Sequence, residues 1–369
     1  MSWKCSSVVL LIVAFLGACA SGASTGGAPT KPAGGGTASA TAVSTTVVPV
    51  GQAVPLSSPV NVSFGDIPST SLAAVYIAQA HGYFEAEGLN VTLEPFANAE
   101  SMIPLMAKNQ LDVSGGGVNS AMFSAIGRGL PIKIVAGVSR NMPGMSSSAI
   151  VVRKELIDSG RVRDYADLRG LRISLVSATS GLGAEYYRVL EMGGLTEQDV
   201  DLKILSFPDA ALALTNGAID VGILTEPFVA RLVQTGVGVR WKGADEIYPD
   251  HQITALLYSP GFRENHEAAV RFLVAYIRGA REYNSIINSD DRTPVYEILA
   301  QYTPIKDLAM YSVMHPSGIH PDAALNVASL DADQNLWASQ GHIQQKADLT
   351  QAVDLQYWEA ALKRLDGNR

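Results

Sequence analysis

The sequence predicts an α/β fold of two lobes with a helical C-terminal tail, and three observations carry that reading. Between residues 60 and 234, short β-branched runs alternate with helix-period segments, the rhythm of sheets flanked by helices. The alternation makes two passes, the second beginning after residue 165. From Asn265 onward the pattern is almost wholly helical.

The elements follow in order. Val60 to Gly65 alternates and is β-branched, so it reads as a strand, and Ser71 caps a helix running to about His81. Strands are expected over 89–96, 111–115, 132–138 and 149–153, with helices over 100–108 and 119–127; Pro104 weakens the first of these helices. The second pass reads as strands over 171–176, 200–206 and 219–224, with helices over 183–192, 209–215 and 227–234. Helices near 265–287, 294–302, 321–341 and 351–365 complete the chain.

Composition bounds the function. In 369 residues, 47% are hydrophobic, enough for two cores, and the net charge is −8 with no long basic block, which argues against nucleic acid as a partner. Two cysteines exclude a disulfide framework and a Cys-rich metal site. The six histidines form no close ligand pair, so no metal and no cofactor is expected. One apolar run approaches membrane-spanning character, and it lies at the N-terminus, which excludes a multi-span permease.

Residues 1–18 read as a signal peptide, with Lys4 as the positive start and Val8 to Ala18 as an apolar stretch too short for a bilayer of about 30 Å. The run ends Leu16-Gly17-Ala18-Cys19, which resembles the bacterial lipobox and implies that Cys19 is lipidated with palmitate-like acyl chains; plain secretion with cleavage at a small residue is the alternative. Residues 19–59 then form a disordered tether. Of the forty residues after Cys19, thirty-two are Ala, Ser, Thr, Gly or Pro, a composition that cannot offset its chain entropy by burial. A coil of that length reaches roughly 35 Å. The expected location is the extracytoplasmic face of the cell membrane.

In open α/β sheets, ligands sit on the loops at the carboxyl ends of strands. Five such loops are rich in Gly, Ser, Thr and Asn, and the candidate binding residues on them are Ser69, Thr70, Ser71, Asn98, Gly116, Gly117, Asn119, Ser120, Ser177, Thr179, Ser180 and Glu226. Each loop alone reads more often as a helix cap than as a site; five on one edge point to a site where helix N-termini offer free N–H donors. Tyr186, Tyr187 and Phe228 could stack on a planar ring or belong to the core. The loops hold no Arg or Lys, which leaves Arg140 as the best basic candidate.

Ala78 to Phe96, with Gly82, Tyr83, Phe84, Glu85, Glu87, Gly88 and Leu89 in order, resembles the opening of ABC-importer solute-binding proteins of the sulfonate, taurine and thiamine-pyrimidine group. Asp112 with Gly115 to Gly117, Asp167-Leu168-Arg169-Gly170, and Gly217 to Asp220 running on to Glu226-Pro227 agree with it. The resemblance covers about residues 60–290. It implies a bilobed periplasmic-binding-protein fold (type II), with lobe one over 60–145 plus 255–369, lobe two over 146–254, and hinge segments near 139–148 and 253–259. It implies a monomer that captures a small ligand and delivers it to an ABC permease, with Tyr83 and Phe84 as packing residues.

The lipidated, Thr/Ala/Gly-rich leader resembles that of riboflavin-binding lipoproteins. A neutral heteroaromatic ligand is therefore expected, riboflavin first and a thiamine pyrimidine second, with Glu226 accepting from a ring N–H. An organosulfonate or related small anion is the alternative. Relatives of the pyrimidine-synthase type are enzymes, but the cysteine-rich motif they need is absent from this sequence, and no nucleophile elbow or phosphate-binding loop is present, so no enzyme activity is expected.

Overall fold

The computed structural model describes Leu56 and residues 58–367. The signal peptide, Cys19 and nearly all of the tether lie outside the described residues.

Ten strands form two five-stranded sheets. The first sheet has the order β2-β1-β3-β10-β4, built from β1 (Val60–Asp66), β2 (Leu89–Pro95), β3 (Val113–Gly117), β4 (Lys133–Arg140) and β10 (Gln252–Tyr258). The second has the order β7-β6-β8-β5-β9, built from β5 (Ser148–Arg153), β6 (Arg172–Leu175), β7 (Asp201–Ile204), β8 (Val221–Thr225) and β9 (Gly238–Gly243). Both sheets are mixed. β1, β2 and β3 run parallel, as do β6, β7 and β8, while β10 is antiparallel to β3 and β4, and β5 to β8 and β9. Two mixed sheets flanked by helices, joined by crossing segments, make the type II bilobed fold.

Most of the expected elements are present within a residue or two. The weakened helix shortens to Ile103–Ala107, because Pro104 fits only in a first turn. The helix expected from residue 321 begins at Val327, where the Asn326 side chain accepts the Ser329 N–H. β9 and β10 have no counterpart in the sequence reading. As a result the second crossing segment, expected near 253–259, lies earlier: Gln252–Tyr258 is a strand bonded on both sides within the first sheet, and the chain crosses before it, over 244–251.

The quoted motifs turn out to be joints of the framework. Asp112 accepts the Ser63 backbone N–H (2.9 Å) and hydroxyl (2.9 Å), tying the entry to β3 onto β1. In the second sheet Asp220 does the same for Arg172, accepting its backbone N–H (3.0 Å) and its guanidinium (2.9 and 2.6 Å) ahead of β8. These guanidinium bonds hold the Asp220 carboxyl below its ordinary value of 3.8. Gly82 and Gly88 bracket the Gly-Tyr-Phe turn with φ of 67° and 76°, a conformation that side chains resist. Between them Phe84 is buried in the core, and Tyr83 lies under the Arg278 guanidinium at 4.1 Å while donating to Glu282.

The largest core lies on one face of the first sheet, where the Ala73–Ala80 helix crosses the long His266–Ile287 helix. The crossing is close because residue 279 is glycine: a Cβ there would sit 2.2 Å from the Ala74 carbonyl oxygen, a backbone atom that cannot yield. Gly279→Ala is expected to destabilise the protein by about 1–3 kcal/mol through overpacking. Urea denaturation checks this, and an unchanged midpoint would mean that the two helices part without cost.

Candidate functional site

A cleft of about 550 Å³ opens where β1 and β8 end. One wall is Ile67 to Ser71, the turn leading from β1 into the Ala73–Ala80 helix. The facing wall is Thr225 to Phe228, leading from β8 into the Phe228–Gln234 helix, with Ser147 and Phe207 beside it. Residues 303–307 and Met310, from the C-terminal helical part, form the third side.

The first wall is short and hydroxylated. Ser69 is extended (φ −155°), and its side chain makes no capping bond to the turn that follows. Thr70 Oγ1 lies 2.9 Å from Ser317 Oγ, which joins this wall to the C-terminal part. On the opposite wall Phe228 packs against Phe207 with ring centres 5.9 Å apart and planes 32° apart. Ile305 and Met310 extend the apolar surface. Two cations stand in the cleft wall, Arg231 and Lys306; the Lys306 ammonium donates to the Ala300 carbonyl oxygen at 2.6 Å, closing the C-terminal end of the Thr293–Tyr302 helix.

Glu226 lines the cleft but is 9% exposed, and both its oxygens already accept a backbone N–H. Oε2 takes that of Ala230 at 2.9 Å, in the helix that follows it, and Oε1 takes that of His315 at 3.0 Å, from the C-terminal part. Burial raises its carboxyl above the ordinary 4.5, opposed by these two bonds and by the Arg240 charge. The expected ring N–H would therefore have to share an oxygen that bridges two elements. Glu226 is a joint of the site before it is a ligand contact.

The other candidates fall into separate groups. Asn119, Ser120, Thr179 and Ser180 come together, but chiefly with one another: Asn119 and Ser180 form a β-bridge and the Ser120 N–H donates to the Thr179 carbonyl at 3.0 Å. Asn119 also caps the Ser120–Gly127 helix through the Met122 N–H (2.8 Å) and donates to Glu100 (3.1 Å). Ser180 caps the Gly181–Met192 helix, and Ser177 Oγ lies 3.0 Å from Thr179 Oγ1. Gly116 and Gly117 lie in β3 opposite Ala255 and Thr254, and a Cβ at Gly117 would meet nothing within 4 Å. Asn98 is exposed and accepts from the Ser101 N–H, closing its own turn.

The tyrosines and Arg140 lie outside this cleft. Tyr186 is fully buried in the core of the second sheet. Tyr187 is 9% exposed and donates to Glu197 at 2.9 Å. Neither lines the cleft, because the Gly181–Met192 helix turns both towards its own sheet and neighbours. Arg140 pairs with Asp250 at 3.1 Å beside the crossing segments and is absent from the cleft wall. The aromatic residue that does line the cleft is Phe228, with Phe207. The 303–310 segment and Arg231 were not found from the sequence. Thr303-Pro304 marks a helix end, but nothing local says which cavity that end borders.

Among the described residues, no group of three His, Cys, Asp or Glu is placed to hold a metal, and no helix is long and apolar enough to cross a membrane.

A cleft at strand ends between two mixed sheets, walled by helix N-termini and hydroxyls, is the architecture of the type II periplasmic-binding-protein fold. The chain belongs to the NMT1-like family, whose profile matches residues 57–300. It is 25% identical to the putative aliphatic sulfonates-binding protein of Bacillus subtilis, over 64% of this chain and 73% of that protein. It is 24% identical to the riboflavin-binding protein RibY of Chloroflexus aurantiacus, over 85% of this chain and 82% of that protein. Its fold matches the crystal structure of the periplasmic aliphatic sulphonate binding protein SsuA from Escherichia coli with a TM-score of 0.66, at 18% identity, over 80% of this chain and 92% of that one.

Replacing Glu226 by Gln puts an N–H₂ against one of two N–H donors. Glu226→Gln is expected to lower stability by about 1–3 kcal/mol, the cost of a buried donor left without an acceptor. A urea midpoint equal to wild type would mean that the bridge to His315 contributes nothing.

Proposed function

We propose that this protein is the extracytoplasmic, lipid-anchored binding component of an ABC importer and that it captures a small heteroaromatic, vitamin-like molecule, riboflavin first and a thiamine pyrimidine second. The observation that carries the ligand reading is the cleft itself. Its volume of about 550 Å³ is generous for a small inorganic anion. Phe207 and Phe228 offer ring faces on one side, and Ser69, Thr70 and Ser71 offer hydroxyls on another, which suits a planar ring bearing polar edges. The similarity to RibY, which extends over most of both chains, supports the same reading.

A second reading has its own observations. Arg231 and Lys306 stand in the cleft wall, and two helix N-termini, those of Ala73–Ala80 and Phe228–Gln234, border it. Cations and helix N-termini together suit a sulfonate or a related organic anion, and the sulfonate-binding relative supports it.

In this reading the two sheets with their helices are two lobes, about 60–145 plus 255–369 and about 146–254. Ligand bound between them is passed, in a closed form, to a membrane permease. Binding without turnover is proposed; the sequence holds no nucleophile elbow or phosphate-binding loop, which supports it. Cys19 carries the anchor, and the folded part works as a monomer at the membrane surface.

Titration calorimetry against riboflavin, a thiamine pyrimidine and an alkanesulfonate separates the ligand readings. Phe228→Ala is expected to weaken a flavin about tenfold, the loss of one aromatic contact, with Arg231→Ala nearly neutral. If Arg231→Ala weakens a sulfonate and Phe228→Ala leaves it unchanged, the second reading stands. A yellow chromophore released on denaturing freshly purified protein would establish a flavin directly.

Cys19→Ser is expected to release the protein from membranes while leaving ligand affinity unchanged, since the acyl chains and not the fold hold it there. Fractionation of cells expressing the variant reads this, and normal membrane retention rules the anchor out.

A further inference from the structure

The residues that join the two sheets enclose a group of charges with no access to solvent. His251, on the second crossing segment, has no exposed surface, and neither has Asp333; Glu185 is 1% exposed. Glu185 lies on the Gly181–Met192 helix, packed on the second sheet, and Asp333 on the Val327–Ser339 helix of the C-terminal part. The imidazole stands between them. Nε2 lies 2.9 Å from Asp333 Oδ2, a full hydrogen bond, and Nδ1 lies 3.5 Å from Glu185 Oε1, a looser electrostatic contact.

Each neighbour of the ring favours a positive charge on it or is neutral. Tyr248 stacks flat on the imidazole (4.1 Å, 4°) and its hydroxyl lies 3.3 Å from the other Asp333 oxygen. Asn141, on the first crossing segment, donates to Glu185 Oε1 at 3.0 Å, and the Ser148 hydroxyl lies 3.1 Å from Oε2. Arg188, one turn beyond Glu185, is paired outward with Glu191, and Asp250 beside His251 is paired with Arg140. Two buried carboxylates facing a neutral ring would leave charge uncompensated, which is costly; a protonated ring between them answers both.

We propose that His251 is a positioning residue at the pivot between the lobes: its imidazolium, held between Glu185 and Asp333, keeps the two sheets in the arrangement that joins the cleft walls, and loss of its proton loosens them. The joined state is visible at two places away from the ring, the Ser120 N–H to the Thr179 carbonyl (3.0 Å) and the His315 N–H to Glu226 (3.0 Å). The looser contact, to Glu185, is the one on the helix packed on the second sheet, so a relative movement of the sheets stretches that contact first.

Burial alone would push the imidazole down, but Asp333 and then Glu185 overcome it and raise it from 6.5 to about 9. A group raised on folding contributes its full stabilisation below its unfolded value. The contribution is therefore intact below pH 6.5 and is lost as pH rises through about 9.

Hydrogen exchange read by mass spectrometry on the full-length protein tests this. At neutral pH, His251→Gln is expected to speed exchange at the Ser120 and His315 amides by about fivefold or more, while the amides of β5 keep wild-type protection. In wild type, after correction for intrinsic rates, the same two amides should lose protection between about pH 6.5 and 9.5, and in the variant they should not respond to pH. Equal exchange at both amides in wild type and variant overturns the proposal. So does faster exchange in β5 in step with the joints, which is general loss of stability. Should His251→Gln fail to fold, Glu185→Gln removes one charge while keeping an oxygen for Asn141, and is expected to speed the same two amides. A flat wild-type profile across this pH range overturns the proposal without any variant.

Discussion

The two sheets face each other as they do because the two segments that cross between them are bonded to one another. The Asn141 N–H donates to the His251 carbonyl, and the Asp250 N–H donates back to the Asn141 carbonyl, both at 2.9 Å. The Asn141 side chain then donates to Glu185, to the Ala244 carbonyl and to the Tyr248 carbonyl. One buried amide thus gathers both crossings and the first turns of the Gly181–Met192 helix. Such a network is rigid while every member is satisfied and costly when one is not. The position of the cleft walls, some distance away, follows from it.

The cleft draws its walls from separate elements. Its hydroxyls come from a turn that the β1 strand delivers, and its aromatic face from a helix that begins where β8 ends. Glu226, the acidic residue at its floor, serves first as a bridge between the Phe228–Gln234 helix and the backbone at His315. The same residue therefore lines the cleft and ties two elements together. A ligand that competes for Glu226 would alter the joint as well as bind.

The two halves repeat one device. Asp112 and Asp220 each stand just before the third parallel strand of their sheet, and each reaches back to the backbone of the first. Most motifs that mark the family in the sequence are thus framework joints, with Glu226-Pro227 the motif that also lines the cleft, while the 303–307 side of the cleft comes from a less distinctive stretch. That explains how a chain can declare its family plainly and its ligand faintly.

Local pattern by itself determined most of the elements. Period-two and period-3.6 runs identified eight of the strands and the principal helices, and small and hydroxylated residues at strand ends identified Ser69, Thr70, Ser71 and Glu226, which do share a cleft. β9 and β10 have no mark in the local pattern, and with β10 the place of the second crossing, because a strand's membership of a sheet depends on partners far along the chain, such as Arg153 for Gly238 and Val113 for Tyr258. The roles of Tyr186 and Tyr187 were decided by which face their helix buries. Only the tertiary structure brought residues 303–307 and Met310 to the same cleft as Phe228, and Glu185 and Asp333 against His251. Contacts of that kind join groups far apart in the chain and leave no periodic trace in it, so burial and charge pairing appear only once the fold has closed.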